Sequence, residues 1–146
     1  AVGDTTFFSF ADQSHGTELW KTDGTAAGTV LIKDIFPGSE SSSPSSLRAA
    51  NDALFFTADD GVHGQELWTS DGTEGGTKMV LDLMPVGPAS GLAPGPPIVW
   101  MGGIAYFSAN GGTNEDRELW RSDGTAGGTW RVKDIQPGSN RSAPRT

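Results

Sequence analysis

The sequence predicts an all-β protein built from three tandem copies of one four-stranded unit. Three observations predict it. One eight-residue segment occurs three times, the same landmarks precede and follow each copy, and short apolar runs alternate with Gly- and Pro-marked turns.

The recurring segment is Glu18-Leu19-Trp20-Lys21-Thr22-Asp23-Gly24-Thr25. It returns as Glu66-Leu67-Trp68-Thr69-Ser70-Asp71-Gly72-Thr73 and as Glu118-Leu119-Trp120-Arg121-Ser122-Asp123-Gly124-Thr125. The three Trp residues are therefore 48 and 52 positions apart. Downstream, Gly28-Thr29, Gly76-Thr77 and Gly128-Thr129 match, as do Asp34-Ile35, Asp82-Leu83 and Asp134-Ile135, with Pro37, Pro85 and Pro137 just beyond. Upstream, Phe7-Phe8, Phe55-Phe56 and Tyr106-Phe107 stand at similar distances from the Glu-Leu-Trp triplet. Approximate repeats are 1–45, 46–97 and 98–146, within a single repeat domain.

Each copy divides into strands in the same order. The aromatic strand is Thr6 to Phe10, matched by Leu54 to Ala58 and Ala105 to Ala109. The Glu-Leu-Trp strand follows: Thr17 to Lys21, Gln65 to Thr69 and Arg117 to Arg121. A third is expected over Thr29 to Ile35, Thr77 to Leu83 and Thr129 to Ile135, and a further one over Ser46 to Ala50 and Ile98 to Met101. Between the second and third strands lies a hairpin turn of the form Asp-Gly-Thr-x-x-Gly-Thr. Asp23, Asp71 and Asp123 can accept hydrogen bonds from N–H groups two residues on, and Gly24, Gly72 and Gly124 supply positive φ.

Adjacent large apolar residues (Phe7-Phe8, Leu19-Trp20, Phe55-Phe56, Leu67-Trp68) imply sheets covered on both faces, because a sheet with one wet face alternates polar and apolar. Sheets stacked around an axis satisfy this. β-Propeller blades do so at a period of about 40–50 residues; a solenoid is the alternative, with usually shorter repeats.

At these residues the chain resembles the bacterial ELWxxDGT-repeat proteins over nearly its whole length. The stretch Ser122 to Trp130 is also similar to the Asp-box hairpin of sialidase-like propellers, with one extra residue. The resemblance implies propeller-like blades, a structural role for the Asp turns, and a secreted or cell-surface (bacterial, or periplasmic) setting. It implies no defined chemistry. The second copy departs from the pattern at Met84 to Pro97, which is longer and rich in Pro and Gly, and is the candidate specialised surface.

Composition narrows the function. The formal net charge is −8, from 18 Asp+Glu against 10 Lys+Arg, and a field of that sign repels nucleic acid. No cysteine is present, so neither a disulfide framework nor a thiolate site exists. The most apolar stretch, Ile98 to Phe107, is too short to span a bilayer as a helix and contains Gly102 and Gly103; no transmembrane segment is expected. No signal peptide is visible, and the first residue, Ala1, leaves open a removed leader or a fragment.

The first copy begins at its aromatic strand, and the last ends at Ser142-Ala143-Pro144-Arg145-Thr146, where the preceding strand of a further copy would start. Three blades cannot close a ring of the usual ~4–8. The expectation is a homo-oligomer in which two chains share strands and form a six-bladed ring. A longer chain or a larger hetero-assembly is the alternative.

Candidate sites follow from what repeats and what does not. Trp20, Trp68 and Trp120 occur in every copy and are assigned to packing. Trp100 and Trp130 do not repeat, Val30 and Lys78 standing at the Trp130 position, and are ligand-binding candidates, since sugars stack on exposed aromatic faces. His15 and His63 hold matching positions, as turn caps or ligand contacts; zinc is unsupported without Cys or a third His. Asp59-Asp60-Gly61, with Asp12 and Glu66 near, is an oxygen-rich loop. Turn chemistry is its default reading and calcium at Asp59 and Asp60 the alternative; no other cofactor is expected. Asn140-Arg141-Ser142 is a formal glycosylation sequon. Neither His has a nucleophile motif around it, and no phosphate-binding Gly-rich loop occurs. Arg48, Arg117, Arg121, Arg131, Arg141 and Arg145 form no sialidase-like arginine motif.

The functional expectation is a non-enzymatic extracellular β-propeller binding module, lectin-like or adhesive, with carbohydrate as a candidate ligand. The alternative is a structural or interaction subunit of a surface or membrane-associated assembly. A sialidase-like glycoside hydrolase stands last.

Overall fold

A computed structural model describes residues 3–50, 52–85, 91–92, 98–112 and 117–135. The described residues form eleven strands and no helix. The strands are β1 (Thr6–Asp12), β2 (Gly16–Thr22), β3 (Val30–Lys33), β4 (Ser45–Ala50), β5 (Ala53–Asp59), β6 (Gln65–Ser70), β7 (Lys78–Leu81), β8 (Val99–Met101), β9 (Ile104–Asn110), β10 (Arg117–Ser122) and β11 (Trp130–Lys133). They build three sheets in chain order: an N-terminal one, β1-β2-β3; a middle one, β4-β5-β6-β7; and a C-terminal one, β8-β9-β10-β11. Every pairing is between sequence neighbours and antiparallel, a plain meander.

The third strands are shorter than the seven residues the sequence suggests. Thr29, Thr77 and Thr129 stay in the turn, their N–H groups donating to Ala26, Glu74 and Ala126. Ile35 leaves the sheet because its N–H is claimed by Glu18, at 3.1 Å. The β8–β9 connection is two residues long, and both Gly102 (φ 60°) and Gly103 (φ 80°) adopt the left-handed conformation that lets so tight a hairpin follow the strand twist.

One irregularity recurs in every sheet. The register slips between Leu and Trp of the triplet, so that Leu67 faces Leu81 while Trp68 faces Met79, leaving Val80 as an extra residue. The same slip occurs at Leu19/Trp20 and at Leu119/Trp120, with Ile32 and Val132 the extra residues. A bulge of this kind turns two consecutive side chains to one face. Val80 and Leu81 both join the core toward the C-terminal sheet.

That core contains Leu67, Val80, Leu83, Ile98, Ala105 and Phe107 and lies between the middle and C-terminal sheets. A second, containing Leu19, Ile32, Ile35, Leu54, Phe56 and Trp68, lies between the N-terminal and middle sheets. The middle sheet is therefore covered on both faces, as its adjacent apolar residues require. Five consecutive residues of β5, Leu54 to Ala58, are buried, whereas in β1 no residue is fully buried.

Among the described residues no helix is long and apolar enough to cross a membrane. The tail from Gln136, including the sequon at Asn140 and the segment expected to complete a shared blade, lies outside the described residues, as does most of the Met84 to Pro97 loop.

Candidate functional site

The three Asp-Gly-Thr hairpins are the same structure. Oδ1 of Asp23, Asp71 and Asp123 accepts the N–H of the Thr two residues on at 2.9, 2.8 and 2.9 Å, and that Thr hydroxyl at 2.7 Å. The Thr hydroxyl in turn accepts the N–H of Gly28, Gly76 or Gly128. A Cβ on any of these three glycines would overlap the Asp carboxylate, which is why the second Gly of the motif is invariant across the copies. Gly24, Gly72 and Gly124 sit at φ 92°, 88° and 94°. The Thr hydroxyls hold all three Asp carboxyls below the ordinary carboxylate range.

The glutamates of the triplet are the residues that sequence reasoning missed. Glu18, Glu66 and Glu118 are fully buried. Glu66 belongs to β6 and is buried, its carboxylate engaged by linker N–H groups. The Glu18 carboxylate accepts backbone N–H groups of Ile35 (3.1 Å), Phe36 (3.3 Å) and Ser42 (2.9 Å) and the Ser42 hydroxyl (2.6 Å). Glu66 accepts the N–H of Leu83 (3.4 Å) and of Gly91 (2.8 Å). The held linkers pass the connection on: Ser42 O accepts the N–H of Asp59 and Gly91 O that of Asn110, each in the next sheet. Glu18 and Glu66 thus each clamp the segment joining their own sheet to the next. Burial pushes both carboxyls up, Glu66 to about 8. The signal in the sequence was an acid repeated in every copy beside a core Leu.

Asp12 and Asp60 cap matching turns, and each also holds the ring of the histidine three residues on. Asp12 Oδ1 accepts the N–H of Ser14 and His15, and Asp12 Oδ2 hydrogen-bonds His15 Nδ1 at 2.8 Å. Asp60 treats Val62 and His63 in the same way, with Oδ2 to Nδ1 at 2.7 Å. The hydrogen bond from each Asp raises its histidine's pKa. Asp59 accepts the N–H of Gly61 at 2.7 Å. Asp59 Oδ1 and both Asp60 oxygens are thus engaged by their own turns, and among the described residues no group of three His, Asp or Glu side chains is placed to hold a metal.

The two unrepeated tryptophans separate. Trp100 packs on Phe55 with ring centroids 4.5 Å apart and borders the core between the middle and C-terminal sheets. Trp130 stays exposed on β11, with the Arg121 guanidinium 4.2 Å over its ring. Trp68 is buried, and its Nε1–H donates to Ala58 O at 3.1 Å. An open cleft of about 300 Å³ between the middle and C-terminal sheets is lined by Phe55, Lys78 and the two turn acids Asp71 and Asp123.

The largest feature left is the pair of outer faces. Leu of the triplet points toward the following sheet and Trp toward the preceding one: Leu19 and Trp68 meet in one core, Leu67 and Trp120 in the other. Among the described residues, positions that face a following sheet are buried, and their equivalents on the C-terminal sheet are exposed. Ile32 and Val80 are 6% and 7% exposed, but Val132 is 45%. Ile35 and Leu83 are 3% and 5% exposed, but Ile135 is 53%. On the opposite end, Ala58 and Ala109 are fully buried while the equivalent Phe10 is 53% exposed, edge-on to Trp20 at 5.7 Å.

Set against protein-family models, curated proteins and solved structures, the chain matches none.

Proposed function

We propose that the chain is a non-enzymatic run of β-propeller blades that works by protein association, with its two open sheet faces as the contact surfaces. The observation that carries this reading is the exposure of Val132 and Ile135 at positions buried in both preceding copies. Four-stranded meanders stacked face to face at this repeat length are what a propeller blade requires. Among the described residues the N-terminal sheet has three strands, and β1 pairs with β2 alone. Contiguous apolar surface on a folded unit marks a contact site. The resemblance to ELWxxDGT-repeat proteins supports an extracellular or cell-surface setting.

The chemistry of the interior argues against catalysis. The Glu18 and Glu66 carboxyls are occupied by backbone donors, and the three turn Asp side chains by their own hairpins. The lectin-like reading keeps one specific support, exposed Trp130 under Arg121, and loses Trp100 to packing.

Two measurements test the proposal. Tryptophan emission is expected to stay flat through a saccharide titration; saturable quenching that disappears in Trp130→Ala would replace association with sugar binding. In dilute solution the chain is expected to bind an apolar dye, and Val132→Asp with Ile135→Asp to bind distinctly less. Equal dye binding by both proteins would remove the open faces as contact surfaces.

A further inference from the structure

We propose that the partner for these faces is a second copy of this chain, docked head to tail. The outer face of the C-terminal sheet of one copy covers the outer face of the N-terminal sheet of the other. This rests on the blade reading above and names its partner.

The first argument is that the contact already exists twice within the chain. In both internal interfaces a face carrying the triplet Leu and the bulged residue (Leu19 with Ile32, Leu67 with Val80) meets a face carrying the second aromatic and the triplet Trp. The meeting partners are Phe56 with Trp68 and Phe107 with Trp120. The C-terminal sheet leaves the first kind of face open, with Leu119 and Val132, and the N-terminal sheet the second, with Phe8, Phe10 and Trp20. The two open faces are the two halves of one interface.

The second argument comes from cations at the rim. Lys21 Nζ donates to Gly72 O at 2.7 Å, and Lys33 Nζ to Thr77 O at 3.1 Å, tying the N-terminal sheet to the hairpin of the middle one. The middle sheet has Thr69 and Leu81 at these positions, but the C-terminal sheet again has cations, Arg121 and Lys133. Arg121 Nε is buried with no hydrogen-bond partner among the described residues. The carbonyls equivalent to Gly72 and Thr77 on the N-terminal sheet are those of Gly24 and Thr29. Arg121 and Lys133 of one copy are thus placed to donate to Gly24 and Thr29 of the other. A heterologous contact made twice between two copies closes on itself. It gives six sheets, within the ~4–8 of closed propellers.

The test uses light scattering on the separated chain across a concentration series. A two-chain species is expected. Phe10→Asp and Val132→Asp, one on each open face, should each weaken association at least about tenfold, since each buries an unpaired charge in the contact. Mixing the two variants should restore a two-chain species, because one of its two contacts is then free of either substitution. Lys133→Glu, exposed and outside both cores, should weaken association with unchanged circular dichroism and urea midpoint, which separates loss of contact from loss of fold. A monomer at every concentration, an effect from only one of the two face variants, no restoration on mixing, or a ladder of longer species would each overturn the head-to-tail pair. A monomer that still binds the apolar dye through Val132 and Ile135 would leave the association reading standing with another partner.

Discussion

Gly91 is held between two sheets by Glu66: its N–H donates to the buried carboxylate at 2.8 Å while its own carbonyl accepts from Asn110 at 2.8 Å. The approach is so close that a Cβ at position 91 would lie 2.6 Å from both carboxylate oxygens and 2.7 Å from Leu83 Cβ. Gly91→Ala is therefore expected to lower stability by about 1–3 kcal/mol, the usual range for forcing a methyl into a packed site. Urea denaturation measures it. Gly75→Ala and Gly127→Ala are the controls: nothing lies within 4 Å of a Cβ at either, and the first copy already has Ala27 there. They should be neutral or stabilising by up to about 1 kcal/mol.

The same carboxylate predicts the direction of pH dependence. Burial raises Glu66 to about 8 from its ordinary 4.5, so the native state binds this proton more tightly than the unfolded chain does. Its contribution is fully present below about pH 4.5 and is lost as pH rises to about 8. Glu18, raised by burial, and His15 and His63, raised by their Asp partners, act in the same sense. The turn carboxyls Asp23, Asp71 and Asp123, lowered by Thr hydroxyls, act in the opposite sense: their contribution is present above pH 3.8 and lost as pH falls through their lowered values. The urea midpoint should therefore fall between pH 5 and about 8.5, and Glu66→Gln, which keeps an acceptor but cannot ionise, should flatten that fall. An unchanged slope in Glu66→Gln would mean that Glu66 does not titrate in this range.

Much of this architecture was legible because it is local. Phe7-Phe8 and its two counterparts mark a strand, and Asp-Gly-Thr marks a turn whose hydrogen bonds span two or three residues. The role of the glutamates was not legible, because the partners of Glu18 lie 17 to 24 residues away and, apart from the Ser42 hydroxyl, are backbone N–H groups with no side-chain signature. The facing of Leu19 and Trp20 was half legible: alternation puts them on opposite faces, but only the stacking of the sheets shows that each Leu meets the Trp of the next copy. Trp100 and Trp130 looked equivalent as unrepeated aromatics. What separates them is position in a sheet stack, Trp100 on β8 against Phe55 and Trp130 on an open face.

That separation gives a direct comparison. Trp100→Ala removes a ring packed at a tilt against Phe55 at the edge of a core and should cost about 2–4 kcal/mol. Trp130→Ala removes an exposed ring whose one aromatic-type contact is Arg121, worth about 0.5–1 kcal/mol. Thermal melts of the separated variants, at a concentration where the chain is not assembled, should rank Trp100→Ala well below Trp130→Ala. Equal losses would place Trp130 in a core rather than on an open face.

The hairpins allow a sharper test, because the clash that excludes a side chain at Gly76 comes from one carboxylate. Asp71 alone is expected to cost about 1 kcal/mol when changed to Ala, by leaving the Thr73 N–H and hydroxyl without their acceptor. Gly76→Ala alone should cost more, since its Cβ would fall on the Asp71 carboxylate and displace it from Thr73. With Asp71 already Ala, that overlap is gone and the second substitution should be nearly free. The two changes are therefore strongly non-additive, with a coupling of about 1–2 kcal/mol in a double-mutant cycle. Additive losses would mean that another neighbour, not Asp71, requires Gly at 76. The equivalent pairs Asp23 with Gly28 and Asp123 with Gly128 should couple in the same direction, since each glycine faces its own carboxylate in the same geometry.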